Sequence, residues 1–458
     1  MAVLIAGALL AFLPLPGLSP SQRQLLAVFV ATILALVVRP APMGVSVLVA
    51  MTVLALTGTV PANRVLLGFS NPTVWLIFSA YLFARAIRTT GLGMRVAYLL
   101  IQRFASTPLR LAYAVVSAGM LVAPFVPSDT ARGGGVVFPV TRSLAQAFDS
   151  EPGPTGRKIG SYLMLVCFHG NYLASAVFLT SMVANPLIAQ AVLKIAHVEI
   201  TWLGWLAGSC VPALASLIAV PYLIQRWHRP EIADTTPARI LAAERLSALG
   251  PMSGRERQLV VILFAVMLGW VTSPWHGIAN AFVALTGVCA QLLLGLLQWD
   301  ELIRESNAWD VLLWFAPLIM MADELNTTGV VKVASEALFT QLHGLPWVAG
   351  LVILSLVYFY THYGFASMTA HVTALYPAFL TATLATGAPP LLAALPIAYF
   401  SNLNAGITHY GTGSAPIFFG PGYVTETEWW RIGFLVSLVN VSIWLGIGGL
   451  WWKAIGYW

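Results

Sequence analysis

The chain has 458 residues, 59% of them hydrophobic and 9% charged. Soluble domains carry about 25% charged residues, so this length does not stand for a string of soluble domains. The net charge of +6 is carried by arginines in a few connecting segments, which reads as membrane topology and not as a nucleic-acid surface.

In chain order, an N-terminal apolar run comes first. No basic residue precedes it, the first arginine being Arg23, so a cleaved signal peptide is not expected. A membrane helix needs about 20 mostly apolar residues. Uncharged runs of that order follow at Gln24–Val38 and Pro40–Asn63, and residues 1–63 are read as N-terminal membrane helices of a scaffold. Further runs occupy Leu111–Ser128, Leu203–Gln225, Gln258–Trp275, Gly277–Leu297 and Ile432–Trp452. Cys167, Cys210 and Cys289 lie within apolar stretches at no metal spacing and are expected as free thiols. Trp429, Trp430, Trp451, Trp452 and Trp458 are expected as interface anchors.

Two stretches, Ile159–Leu193 and Leu345–Thr425, lack any Asp, Glu, Lys or Arg and are too long for one helix. They are rich in Gly, Pro, Ser, Thr and Asn. Irregular backbone at membrane depth is tolerated only when buried in protein or lining a cavity, so broken helices and re-entrant hairpins are expected. The segment Arg226–Arg257 carries six arginines and reads as a cytoplasmic linker between two halves.

The halves resemble each other. TVWLIFSAYLFARAIRTTG at 73–91 and VLLWFAPLIMMADELNTTG at 311–329 both end in Thr-Thr-Gly. After similar intervals come Ser128-Asp129-Thr130 and Ser367-Met368-Thr369, each followed by an aromatic residue and proline. Arginines cluster at 85–110 in the first half, whereas the matching part of the second carries Asp323, Glu324 and Glu336. The charge reversal places the two halves in opposite orientations. The expected fold is an all-α polytopic membrane protein with two inverted-topology repeats. The repeats are 64–225, with a cytoplasm-facing hairpin at about 127–149, and 258–458, with an outward-facing hairpin at about 362–385. Each has a re-entrant hairpin and a broken transmembrane helix, an architecture of secondary transporters that bind at the repeat interface.

Half-helix N-termini at the hairpin tips offer N–H groups and a positive dipole end to an anion. The candidate binding residues are Ser128, Asp129, Thr130, Ser367, Met368 and Thr369. Thr180, Ser181, Thr412 and Gly413, at the later breaks, join them. Asp129 is an ionisable group at membrane depth. It is read either as a cation or proton site or as the partner of Arg132, three residues on. His371 and His409 are read either as proton carriers or as hydrogen-bonded structural residues. An embedded enzyme is the reading from another class, and the sequence offers it no nucleophile–base motif.

Three blocks carry a family resemblance: PSDTARGGGVVFP at 127–139, HYGFASMTAHVTALYPAF at 362–379 and SNLNAGITHYGTGSAPIFFGPGYV at 401–424. They resemble the divalent anion/sodium symporter (DASS, INDY-type) family, in particular its citrate, tartrate and 2-oxoglutarate/malate carriers and the plastid dicarboxylate translocator. The resemblance spans about residues 71–423. It implies a homodimer with a scaffold and a moving transport domain, an elevator mechanism, and di- or tricarboxylate substrates held by two Ser-Asn-Thr tips. No cofactor is implied other than sodium, whose site would lie near Asp129. Asp129 and Met368 replace the two motif asparagines. The carrier branch commonly departs there and works by exchange, so antiport is expected, with sodium- or proton-coupled symport as the alternative, in a bacterial inner membrane.

Overall fold

The computed structural model describes residues 15–38, 40–333, 336 and 346–458, and no strand occurs among them. Most of the first apolar run lies outside the described residues. After α1 (Pro20–Val38) and α2 (Met43–Leu56), a kinked pair of segments leads into α3 (Pro72–Thr90). The bend there is 44°, and Asn71 begins α3 by accepting a hydrogen bond from the Thr73 amide, with Pro72 as the first helical residue. Among the described residues five helices are long and apolar enough to cross a membrane, or six if this bent pair is one span. The protein is therefore an integral, multi-pass membrane protein.

The repeated Thr-Thr-Gly is a helix terminator. α3 ends at Gly91 and α14 (Ser306–Thr327) runs out at Gly329, both glycines having positive φ, 77° and 86°. A side chain is strained in that conformation, so glycine stops each helix at the same register.

Between them lie α4 (Leu92–Phe104) and α5 (Pro108–Val122). The chain reverses at 126–128 and returns as α6 (Asp129–Arg132), a π turn (Gly133–Val137) and α7 (Phe138–Ala147). The two arms touch where Gly119 leaves room for Val137. The run Leu111–Ser128, expected as a span, holds α5, and Pro108–Phe125 is one of the five helical stretches long and apolar enough to cross a membrane; it leads directly into the turn at 126–128.

α8 (Gly160–Val177) is buried along its whole length. It breaks over Leu179–Ser181 and resumes as α9 (Ala184–Ala196). α10 (Trp202–Trp227) packs beside α8, followed by α11 (Thr236–Leu249), α12 (Gly254–Val271) and α13 (Asn280–Leu293). In the second half, α15 (Trp347–Tyr360) and α16 (Met368–Ala385) form the second hairpin. α17 (Pro390–Leu403) breaks before the short α18 (Ala415–Phe419), and α19 (Glu426–Ser442) leads to the C-terminal turns.

Charged ties gather where the arginine-rich segments meet. Arg95 holds Glu256 at 2.6 and 3.1 Å, and Arg85 and Arg88 both reach Glu305. The linker is fastened to the loop after the first hairpin, the Ile232 amide donating to the Lys158 carbonyl. His228, just past α10, accepts from Arg157 at Nδ1, so Nε2 carries the proton and donates to Ser161. Burial, then the Arg157 charge, push its pKa down to about 4, so it is neutral at physiological pH.

Trp429 and Trp452 depart from their expected role as interface anchors. Both are 1% exposed; Trp429 packs on Phe168, and the Trp452 indole donates to the Gly208 carbonyl. They join α19 and the C-terminal turns to α8 and α10. Cys167 is buried, and all three cysteines are free.

Candidate functional site

Ser128 and Ser367 begin α6 and α16 in nearly the same way. Their backbones are extended (φ −151°, ψ 121° and φ −153°, ψ 125°), and their hydroxyls accept from the Ala131 and Ala370 amides at 3.2 and 3.3 Å. A helix leaves its first N–H groups without intrahelical partners. The serine satisfies the third. The amides of Asp129, Thr130, Met368 and Thr369 make no hydrogen bond among the described residues. These residues all line one cavity of about 220 Å³. That is below the roughly 300–1,000 Å³ of sites for drug-sized ligands and suits a small organic molecule. The N-termini of α6 and α16 thus line one cavity, together with the carboxylates of Asp129 and Asp310.

The cavity gathers Ser128, Asp129, Thr130, Ser367, Met368, Thr369, Thr412 and Gly413. Among the described residues the Thr369 hydroxyl makes no hydrogen bond, and the Thr130 hydroxyl reaches only Asp129 Oδ1, at 3.4 Å. Gly413 permits close approach of the second half's broken segment to the first hairpin, because a Cβ there would overlap the Thr130 hydroxyl. Gly413→Ala should therefore push Thr130 out of place. A misplacement of ~1 Å at a reacting or binding group can cost about 100-fold, so uptake by this variant should fall at least about tenfold, with an unchanged thermal midpoint in detergent. Normal uptake would detach Thr130 from the site.

Asp129 is 2% exposed. Its Oδ2 accepts from Thr412 at 2.5 Å and Ser414 at 2.6 Å, so the first hairpin tip is bonded to the break of the second half. Thr412 thus spends its hydroxyl on Asp129. The expected pairing of Asp129 with Arg132 does not form. Arg132 turns to the other side of the one-turn helix and donates five hydrogen bonds to neutral acceptors. These are Asn171 Oδ1, the carbonyls of Val126, Ser181 and Asn171, and the Ser175 hydroxyl. Two carbonyls at the breaks after α5 and α8, with three acceptors on α8 itself, take all five N–H groups of the guanidinium, so it has no donor left for Asp129.

Two other expected binding residues stand outside the cavity. The Thr180 hydroxyl donates to the Pro124 carbonyl and accepts from Trp202. Ser181 donates to the carbonyls of Ser175 and Phe178. Ser181 closes the break after α8 internally, and Thr180 ties that break to the turn after α5 and to α10. His371 and His409 also lie outside it. Thr361 gives its proton to the Tyr358 carbonyl, so His371 Nε2 must donate to Thr361 Oγ1 at 3.1 Å. His409 Nδ1 accepts from the Trp430 indole. Each acts as a structural hydrogen-bonding residue in this arrangement.

The sequence reading missed Tyr81, Asn307, Asp310 and Trp314, which line the opposite wall. Asn307, Asp310 and Trp314 recur at i, i+3 and i+7 and so share one face of α14. That spacing was the available signal. Asp310 lies just before the repeat segment that was aligned.

The family profile described as "Sodium:sulfate symporter transmembrane region" matches residues 1–458. The chain is 44% identical to YflS of Bacillus subtilis, over 99% of this chain and 95% of that one. It is 42% identical to "Dicarboxylate transporter 1, chloroplastic" of spinach, Spinacia oleracea, over all of this chain and 81% of that one. Its fold resembles that of solved MtrF of Neisseria gonorrhoeae, with a TM-score of 0.59 at 14% identity, covering 98% of this chain and 97% of that one.

Proposed function

The chain belongs to the sodium:sulfate symporter transmembrane-region family, the DASS group of membrane transporters, and from that premise we propose that it exchanges small dicarboxylates across a bacterial inner membrane. It is a transporter and not an enzyme. The observation that carries the proposal is the cavity lined by the N-termini of both α6 and α16. A dicarboxylate has one negative group for each pair of free amides, Asp129 and Thr130 at one end, Met368 and Thr369 at the other. The hydroxyls of Thr130 and Thr369 donate to the same two groups. The name of the spinach relative, which specifies dicarboxylates, supports the class. Tricarboxylates such as citrate fit the same chemistry with one further carboxylate toward the Tyr81 wall.

Energetics require either an outgoing anion or co-transported cations, and the replacement of both motif asparagines, by Asp129 and Met368, favours exchange. Moving one charge through 100 mV costs about 2.3 kcal/mol, so a dianion entering a negative-inside cell faces about 4.6 kcal/mol per 100 mV. An outgoing dianion cancels that term. Cation-coupled symport is the second reading, favoured by two carboxylates, Asp129 and Asp310, on one cavity. A sodium ion or proton on Asp129 would offset substrate charge. Met43 of α2, Tyr81 of α3 and Asn307, Asp310 and Trp314 of α14 line the cavity together with the residues of the hairpin tips. An elevator-like movement of hairpins past scaffold, in a homodimer, is the motion proposed for alternating access.

Labelled malate, succinate, 2-oxoglutarate and citrate uptake into proteoliposomes tests this. Uptake should require internal unlabelled anion and be the same in sodium and choline buffers. Uptake into empty vesicles driven by a sodium gradient would replace exchange with symport. Thr369→Ala, which removes a hydroxyl with no structural partner, should abolish uptake while leaving the protein monodisperse. Normal uptake by that variant would overturn the assignment of the cavity.

A further inference from the structure

A second cavity, of about 640 Å³, lies far from the first, at the junction of α4 with α5. We propose that it binds the phosphate headgroup of an anionic phospholipid from the cytoplasmic leaflet. Three arginines from three helices line it: Arg103 near the end of α4, Arg110 at the start of α5 and Arg239 in α11. No acidic residue lines it. Two of the guanidinium groups are held in position. Arg239 Nε donates to the Gln102 carbonyl at 2.9 Å, and Arg110 donates to the Ser106 hydroxyl at 3.1 Å. The Arg103 side chain has no hydrogen bond or ion pair among the described residues. Converging guanidinium groups without a carboxylate are a receptor for a phosphate, which they meet with charge-assisted bonds.

The remaining lining distinguishes a lipid from a free anion. Leu100, Phe104 and the ring of Tyr113 make the other wall, and the Tyr113 hydroxyl is already donated to the Ile218 carbonyl. That wall continues onto exposed apolar residues, Phe104 at 53% and Leu99 at 50% exposed. The arginine concentration places this end of α4 at the cytoplasmic side. The ligand is therefore charged at one end and hydrocarbon at the other. Basic recesses between helices at this level take lipid headgroups in membranes.

The test is native mass spectrometry of the full chain in detergent, titrated with phosphatidylglycerol or phosphatidylcholine. Each arginine facing an anionic lipid contributes about fivefold in affinity. Phosphatidylglycerol should bind in preference to phosphatidylcholine. R103Q should weaken it about fivefold and the triple variant R103Q/R110Q/R239Q about 100-fold. The control is R226Q/R229Q/R304Q, which removes the same charge outside the cavity and should leave the tight site intact. Because Arg103 has no internal partner, R103Q tests the site without disturbing the fold. Equal losses in the two triple variants would reduce the effect to general surface charge and overturn the site. So would equal binding of both lipids. If inorganic phosphate displaces phosphatidylglycerol at millimolar concentration, the occupant is a soluble anion and the lipid assignment fails.

Discussion

Arg132→Met will destabilise the protein more than any change in the cavity itself. The guanidinium is fully buried and donates five hydrogen bonds, all to neutral acceptors. Methionine fills much of the volume but leaves three carbonyls, an amide oxygen and a hydroxyl without a donor. Each buried acceptor left without a donor costs about 1–3 kcal/mol. The acceptors lie at the end of α5, at the break after α8 and in α8 itself, so the loss falls on the packing of the first hairpin tip. Lysine does not restore it, since three donors on a point charge cannot serve five acceptors arranged around a plane. Thermal unfolding in detergent should show a large fall for Arg132→Met and a smaller one for Arg132→Lys. A midpoint within error of the parent in both variants would sink this account of the arginine cage. If instead Arg132 served only to neutralise Asp129, adding Asp129→Asn should restore stability. The geometry forecasts no such rescue, because the two side chains share no hydrogen bond.

The breaks were legible because they depend on local chemistry. Ser-x-Thr with an aromatic–proline pair nearby, met twice at matching intervals, marks two helix starts, and the structure gives the two serines the same backbone angles within a few degrees. Thr-Thr-Gly was legible only as a match between the halves; that it is a helix stop, which glycine makes without strain, is seen in the positive φ of Gly91 and Gly329. What was not legible depends on distance along the chain. Thr412 and Ser414 lie 283 and 285 residues from Asp129, and no local pattern shows that their hydroxyls point at its carboxylate. The Arg132 assignment failed for the same reason. An i,i+3 pairing is the expectation for an isolated helix, and here carbonyls from two other breaks compete and win. Thr180 and Ser181 looked equivalent to Thr412 in composition. The first break spends its hydroxyls on itself and on Pro124 of its own repeat, whereas the second spends them on the hairpin tip of the other repeat.

Asp129→Ala should cut transport by more than about tenfold, while Asp129→Asn retains or broadens it. The carboxylate is where the two halves of the cavity are bonded. It receives Thr412 and Ser414 at 2.5 and 2.6 Å, with Asn171 donating to its backbone carbonyl. Hydrogen bonds to a charged group contribute about 1.5–3 kcal/mol each, and about 1.4 kcal/mol is a factor of ten. Alanine removes both, so the 412–414 segment is no longer held against the first tip. Gly413, in the middle of that segment, then ceases to back the Thr130 hydroxyl. Asparagine keeps an oxygen whose two lone pairs can accept both hydroxyls. Its new NH₂ group faces the cavity side, where a substrate carboxylate supplies an acceptor. It also removes a negative charge from an anion site. Transport kinetics for several dicarboxylates across the two variants, with circular dichroism to confirm folding, make the comparison. If Asp129→Asn is inactive but folded, the charge itself is required, and the cation- or proton-coupled reading takes the place of exchange. If both variants are active, the bond between the halves is dispensable. The free amides of the two hairpin tips then hold the substrate without it.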